Sequence, residues 1–289
     1  MKMSVDASPI SAPLEQASTA VLAPAPAGLD GWPRVSVVIP ALNEEANLRR
    51  VLPRIPRWVY EVLLVDGQST DGTVELARHL LPGIRIVRQE GRGKGNALRA
   101  GFEAATGDVL VALDADGSTD PEEIPAFVGA LLSGADYAKG SRYLQGAGTH
   151  DISPFRALGN GSLLLTVRLL FHCRFSDLCY GYNAFWRRVL PALNLDSDGF
   201  EIETLMNLRA IRAELRVVEV ASFEAPRAFG ESRLRALPDG WRVLRTIFRV
   251  RFGRGTALGS SAAPVCAPEE QAISGLGETR VVRDVAVAK

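Results

Sequence analysis

The segment Gly107-Asp108-Val109-Leu110-Val111-Ala112-Leu113-Asp114-Ala115-Asp116-Gly117-Ser118 joins a short apolar run to two aspartates one residue apart. The run at 109–113 is too short for a helix and is bounded by polar turn residues, so it reads as a buried strand. Its carboxylates then stand at the C-terminal end of that strand, where open α/β sheets place their ligands. Two carboxylates at ~4 Å repel by ~4 kcal/mol at an effective dielectric near 20, which calls for compensation. A divalent cation shared with a substrate diphosphate supplies it, because Mg²⁺ takes one or two carboxylates plus phosphate oxygens. A solvated turn followed by a helix cap fits the same residues, and the segment alone leaves both readings open.

Strand and helix signals alternate on either side. Residues 35–39 form an expected strand closed by Pro40, and Asn43-Glu44-Glu45 opens a helix with acids in its first turn. A second strand, 61–65, runs into Asp66-Gly67-Gln68-Ser69-Thr70-Asp71-Gly72-Thr73, where Ser69 or Thr70 is expected to cap the next helix. A third, 84–87, leads to Gly91-Arg92-Gly93-Lys94-Gly95 and a helix to Thr106. Downstream, Asp120-Pro121-Glu122-Glu123 combines a cap, a proline at N1 and a glutamate at N3. Four such alternations predict an α/β fold, a Rossmann-like, mostly parallel sheet with helices on both faces. Polar loops follow three of the strands and emerge on one sheet edge, as a nucleotide site requires.

The second half is less regular. A fifth strand is expected at 137–141, helices at 155–171, 199–213 and 237–252, and a strand at 215–220. The expected organisation is a disordered leader over 1–32, rich in Ala, Pro and Ser, a domain over 33–253, and a flexible tail over 254–289. With 33 basic and 33 acidic residues the chain has no net charge, which argues against a nucleic-acid partner. Cys173, Cys179 and Cys266 form no CxxC pair, and His79, His150 and His172 have no metal or triad spacing. No apolar run approaches 18 residues and no signal peptide is read, so a cytoplasmic location is expected.

In this order, Val37-Val38-Ile39-Pro40-Ala41-Leu42-Asn43-Glu44-Glu45, Asp66 to Asp71, Gly93-Lys94-Gly95-Asn96-Ala97 and Asp114-Ala115-Asp116 make the chain resemble family 2 glycosyltransferases of GT-A fold. It is most similar to the branch that holds dolichol-phosphate mannosyltransferase and other polyprenyl-phosphate glycosyltransferases, from about Val35 to Arg251. The resemblance implies a nucleotide-sugar donor, with Pro40 and Glu44 beside it and Glu44 matching the acid that helps hold nucleobase and ribose. Asp66 matches the aspartate that accepts from the base. Asp114 and Asp116 match the DxD pair that binds Mg²⁺ or Mn²⁺, with Asp114 nearer the ribose. Lys94 is the cation expected nearest the sugar nucleotide. Taken singly, Glu44 also reads as a helix-start acid and Asp66 as a turn former. The Gly91–Gly95 loop is not a Walker phosphate loop, because Arg88 stands where that motif needs glycine.

Later motifs bear on the acceptor. Arg142 lies in Gly140-Ser141-Arg142-Tyr143, similar to a GSRY segment whose arginine faces phosphate-bearing groups. Arg156 matches another basic position of the lipid-phosphate branch, and Arg227 the arginine of its R-x-x-G-x-S-K motif, here ending in Arg233. Asn160 replaces a common serine, and Ser118 stands where a glutamine often completes the metal site. Solvated surface is the other reading of these arginines. Asp177, Glu201 and Glu203 are the carboxylates available as a base for a hydroxyl acceptor, although Glu203 also fits a first-turn helix acid.

The expected activity is inverting transfer to a polyprenyl phosphate. The alternatives are a soluble hydroxyl acceptor (metabolite or glycan), a nucleotidyltransferase, or a non-catalytic nucleotide-binding module. The loop after the first strand lacks the glycines of a nucleotidyltransferase. Finally, Leu237, Trp241, Leu244, Ile247, Phe248 and Phe252 gather near one helical face with Arg242, Arg245, Arg249 and Arg251 around it. That pattern suits peripheral contact with the inner face of a membrane, and equally a helix packed on its own domain.

Overall fold

The computed structural model describes residues 32–150, 154–230, 234–253 and 279–281. The expected alternation is present as β1 (Val35–Ala41), α1 (Glu45–Val51), β2 (Glu61–Asp66), α2 (Thr73–Leu80), β3 (Arg85–Arg88), α3 (Lys94–Ala104), β4 (Val109–Ala112) and α4 (Ile124–Leu132). There follow β5 (Tyr137–Ser141), β6 (Gly148–Thr149), α5 (Pro154–Phe171), β7 (Asn183–Trp186), α6 (Leu190–Leu193), α7 (Ile202–Arg212), β8 (Val217–Ala221), β9 (Phe223–Glu224), α8 (Ala236–Phe252) and β10 (Thr279–Val281).

The described strands build a sheet in the order β10-β8-β5-β7-β4-β1-β2-β3. β3, β2, β1 and β4 are mutually parallel, as are β5 and β8. β7 runs antiparallel between β4 and β5, with Asn183 opposite both Ala112 and Lys139. The sequence pattern gives no strand there, and the strands that pair with it, β4 and β5, lie far away along the chain. The reversal has a consequence for the site. It brings the start of β7, and the 177–182 segment before it, to the edge where the parallel strands end.

Alternation along the strands divides the core. Val37, Ile39, Leu64, Val109 and Val111 pack with Leu48, Leu76 and Phe127 on one face. Val38, Leu63, Val65 and Leu110 pack with Leu98, Phe102, Leu205 and Ile247 on the other. Each such side chain taken from water contributes roughly 1.5–3 kcal/mol, so the two apolar layers hold the sheet edge rigidly.

Local details refine several expectations. Asp120 caps as read, accepting from Glu122 N–H at 2.9 Å before the turn Pro121–Glu123. Neither Ser69 nor Thr70 caps α2; the Asp71 carboxylate accepts from Thr73 N–H at 3.1 Å, while Ser69 Oγ accepts from Asn43 N–H at 3.0 Å. Thr279–Val281 pairs antiparallel with β8, and Trp32 packs edge-on against Trp58. The other residues of 1–32 and 254–289 lie outside the described residues. One side of α8 packs on the domain and the other is exposed. Val243, Ile247 and Val250 are buried, so Ile247 is not part of the outer face, whereas Leu237, Trp241, Phe248 and Phe252 are exposed.

Candidate active site

The ends of β1, β2, β4, β5 and β8 and the start of β7 bring three ionic clusters to one edge. The first is centred on Lys94. Its ammonium lies 2.6 Å from Asp114 and 2.8 Å from Glu203. The glycines around it make that placement feasible. A Cβ on Gly93 would stand 2.1 Å from the Asp198 carbonyl oxygen, and one on Gly95 2.1 Å from that of Ser197. Gly93 also has φ +91°, a value that favours glycine. The glycine pattern therefore seats the start of α3 on the 197–198 backbone, where Gly95 N–H donates to Asp198 O at 2.8 Å. Gly181 completes the cluster, because a Cβ there would lie 2.7 Å from Lys94 Nζ. Burial alone would lower the Lys94 pKa, but Asp114 and Glu203 hold it well above its ordinary value. Burial pushes the Glu203 carboxyl up, against the pull of Lys94.

The second cluster joins Asp116, Glu44 and Arg227. The guanidinium of Arg227 reaches Asp116 Oδ2 at 3.2 Å and also bonds Glu44 Oε1. Ser118, which stands where the resembled family often has a metal-completing glutamine, orients Asp116. Its N–H and hydroxyl donate to Asp116 Oδ1 at 3.0 and 2.7 Å. The two aspartates that sequence leaves without a neighbouring base thus each face a cation brought from elsewhere in the chain. Asp66 stands at the end of β2 and accepts from Ser69 N–H at 3.0 Å, which makes it a turn former as well as a base-facing candidate. Pro40 is paired with Val65 within the sheet, beside it.

The third cluster is buried. Arg142 forms a fork to Asp177, with bonds of 2.7 and 3.0 Å, and reaches Glu224 at 2.9 Å. The Arg142 side chain is 5% exposed and that of Asp177 0%. Arg142 Cζ also lies 5.0 Å from the Tyr180 ring centroid. Burial would raise the Asp177 carboxyl, but Lys139 and Arg142 bring it below its ordinary value. The expectation of Arg142 facing a phosphate is corrected here, because three of its five N–H donors go to buried carboxylates and its side chain is enclosed. Asp177 is likewise withdrawn from the candidate bases by full burial and pairing. Glu201, by contrast, accepts from Gly199 N–H at 3.4 Å at the start of α7, and its other carboxylate oxygen is buried without a hydrogen-bond partner among the described residues. Arg156 lies in the first turn of α5, with its side chain outside the described part, and Ser232 and Arg233 lie outside the described residues.

Several supporting residues were missed. Fully buried Lys139 donates to Gly140 O at 2.7 Å, and Glu219 accepts from the Ser176 N–H at 3.0 Å and from that of Asp177 at 3.2 Å. A lone charge inside an apolar strand, as in Val217-Val218-Glu219-Val220, was the available signal, since such charges are rarely buried unpaired.

Among the described residues no three or more His, Cys, Asp or Glu side chains form a metal cage. Two hard carboxylates at a strand end fit a divalent ion whose remaining ligands are substrate oxygens and water.

The sequence profile of the family described as "Glycosyl transferase family 2" matches residues 36–190. A dolichol-phosphate mannosyltransferase of Pyrococcus furiosus is 34% identical over 231 residues, 77% of this chain. The chain spans only 65% of that relative's length. A polyprenol monophosphomannose synthase of Mycolicibacterium smegmatis is 34% identical over 78% of this chain and 88% of its own. Among solved structures, glucosyl-3-phosphoglycerate synthase of Mycobacterium tuberculosis, in complex with Mn²⁺, UDP and glucosyl-3-phosphoglycerate, superposes with TM-score 0.62 at 26% identity, covering 76% of this chain and 80% of that one.

Proposed function

The chain belongs to glycosyl transferase family 2, and from that premise we propose that it moves a sugar, with inversion, from a nucleotide-diphosphate donor to a polyprenyl phosphate. The observation that carries the choice of acceptor is the state of the carboxylates. A hydroxyl acceptor needs a base within hydrogen-bond reach. Asp177 is enclosed by Arg142 and Glu203 lies 4% exposed under Lys94, which leaves Glu201, at the start of α7, as the candidate not paired with a cation among the described residues. A phosphate is already anionic and attacks without giving up a proton, so it needs a cation instead. Arg227, 16% exposed and shared between Glu44 and Asp116, is the cation we assign to it.

Asp114 and Asp116 would hold Mg²⁺ or Mn²⁺, which when bound supplies Lewis-acid neutralisation of the leaving diphosphate. Glu44, Asp66 and Pro40 would bound the nucleoside, and Lys94 would fix Asp114. A phosphate oxygen of the acceptor then forms the new bond to the anomeric carbon as the bond to the diphosphate oxygen breaks. Incubation with a panel of radiolabelled nucleotide sugars, GDP-mannose and UDP-glucose among them, tests this. Label is expected in the organic phase only when undecaprenyl phosphate is added. Label passing instead to 3-phosphoglycerate or another water-soluble acceptor would overturn the lipid reading.

The same reading puts the enzyme at the cytoplasmic face of a membrane. No helix among the described residues is long and apolar enough to cross one. However, α5 exposes Leu158, Leu165 and Leu169, and α8 exposes Leu237, Trp241, Phe248 and Phe252. Arg245, Arg249 and Arg251 beside them are exposed too. An apolar ridge with basic flanks suits the headgroup boundary, where each basic residue adds ~1 kcal/mol on anionic lipid. In flotation with anionic liposomes at low salt the protein is expected to rise with the lipid. Trp241→Glu with Phe252→Glu should cut the bound fraction at least ~10-fold, since each ring contributes roughly 1.5–3 kcal/mol when buried. A wild-type protein left wholly in the soluble fraction would overturn membrane contact.

A further inference from the structure

Asn47, a residue of α1 with no part in the readings above, is 2% exposed and spends its whole amide on the surroundings of Arg227. Its Oδ1 accepts from Phe229 N–H at 3.0 Å, and its Nδ2 donates to Phe229 O at 3.1 Å. The side chain thus pairs with the Phe229 backbone as a neighbouring strand would. The same Nδ2 donates to Glu44 Oε2 at 2.6 Å. Arg227 is oriented by three acceptors: Phe229 O at 2.8 Å on its Nε, Glu44 on one Nη and Asp116 on the other. Two of those three acceptors are the ones Asn47 holds.

We propose that Asn47 is a positioning residue for Arg227, fixing the 227–229 backbone and the Glu44 carboxylate so that the guanidinium stays at the edge where the acceptor's phosphate must arrive. The inference rests on the reading of Arg227 as the acceptor-facing cation. An amide is required at position 47, because only it offers an acceptor to the Phe229 N–H and donors to both a carbonyl and a carboxylate. Asn47→Asp keeps the shape and the first bond but sets an anion against Glu44 and Phe229 O.

The test is a double-mutant cycle on the full chain, with saturating radiolabelled nucleotide sugar and undecaprenyl phosphate in detergent micelles. Hydrogen bonds to charged groups scale as about 10- to 100-fold in rate, and Asn47→Asp and Arg227→Ala should each lose that much. If Asn47 acts through Arg227, the Asn47→Asp/Arg227→Ala double variant is no slower than Arg227→Ala alone, within about twofold. Asn47→Asp should also raise KM for the lipid phosphate and speed hydrogen exchange in the backbone of 226–230. Losses that multiply in the double variant would overturn the inference while leaving the role of Arg227 intact. Arg227→Ala at the wild-type rate would overturn the premise itself, a distinct outcome. Asn47→Ala, carried through the same cycle, must give the same non-additivity if Asn47→Asp fails to fold.

Discussion

Asp116→Asn is expected to reduce metal-dependent sugar transfer by about a thousandfold in a protein that remains folded. Lewis-acid stabilisation of a leaving diphosphate is worth several kcal/mol, and ~4 kcal/mol corresponds to that factor in rate. The fold should survive because asparagine still offers an acceptor to Ser118, whose N–H and hydroxyl hold Asp116 Oδ1. Asp114→Asn should act similarly, since Glu203 at 2.8 Å still neutralises Lys94. Turnover measured with and without EDTA, alongside calorimetric titration of Mn²⁺ in the presence of nucleoside diphosphate, checks both. Activity that survives EDTA, or an Asp116→Asn protein at the wild-type rate, would remove the metal from these carboxylates.

Arg142→Ala should destabilise the protein by about 3–5 kcal/mol, the usual consequence of leaving one member of a buried pair without its partner. Asp177 is fully buried and receives both arms of the Arg142 fork, so without them it keeps the field of Lys139 and the Cys179 N–H. The effect has a pH signature. The Asp177 carboxyl is held below its ordinary value in the folded state. Its contribution is therefore complete above the unfolded value near pH 4 and is lost as pH falls through the lower folded value. In Arg142→Ala the less compensated carboxylate takes up a proton more readily, so the gap between variant and wild type should narrow below about pH 4. Urea unfolding at pH 7 and at about pH 3 measures both. An unchanged midpoint at pH 7 would show that the pair does not hold the 177–182 segment.

Much of the architecture is legible in the residues themselves. Apolar runs mark β1, β2 and β4, although β1 continues through Pro40 to Ala41, and Asp120-Pro121-Glu122-Glu123 marks the approach to α4. These signals are local, and local sterics and hydrogen bonding suffice to produce them. Strand β7 escaped because it is short and its neighbours are distant in sequence; β4 and β5, not its own pattern, make Asn183–Trp186 a strand. The C-terminal pairing of Thr279–Val281 with β8 escaped for the same reason.

The candidate site divides along a similar line. The order of motifs alone determined the family, the sheet edge that carries the site, and the identity of Glu44, Asp66, Asp114, Asp116 and Arg227 as residues worth placing there. Only the tertiary structure decided how their charges are balanced. It set Lys94 between Asp114 and Glu203, Arg227 between Asp116 and Glu44, and Arg142 against Asp177. Glu44 and Arg227 are 183 residues apart along the chain, and Asp116 and Arg227 111. Residue types disclose that a group can carry charge, but Coulomb energy depends on distance and burial, which arise only when separated strands end on one edge of a sheet.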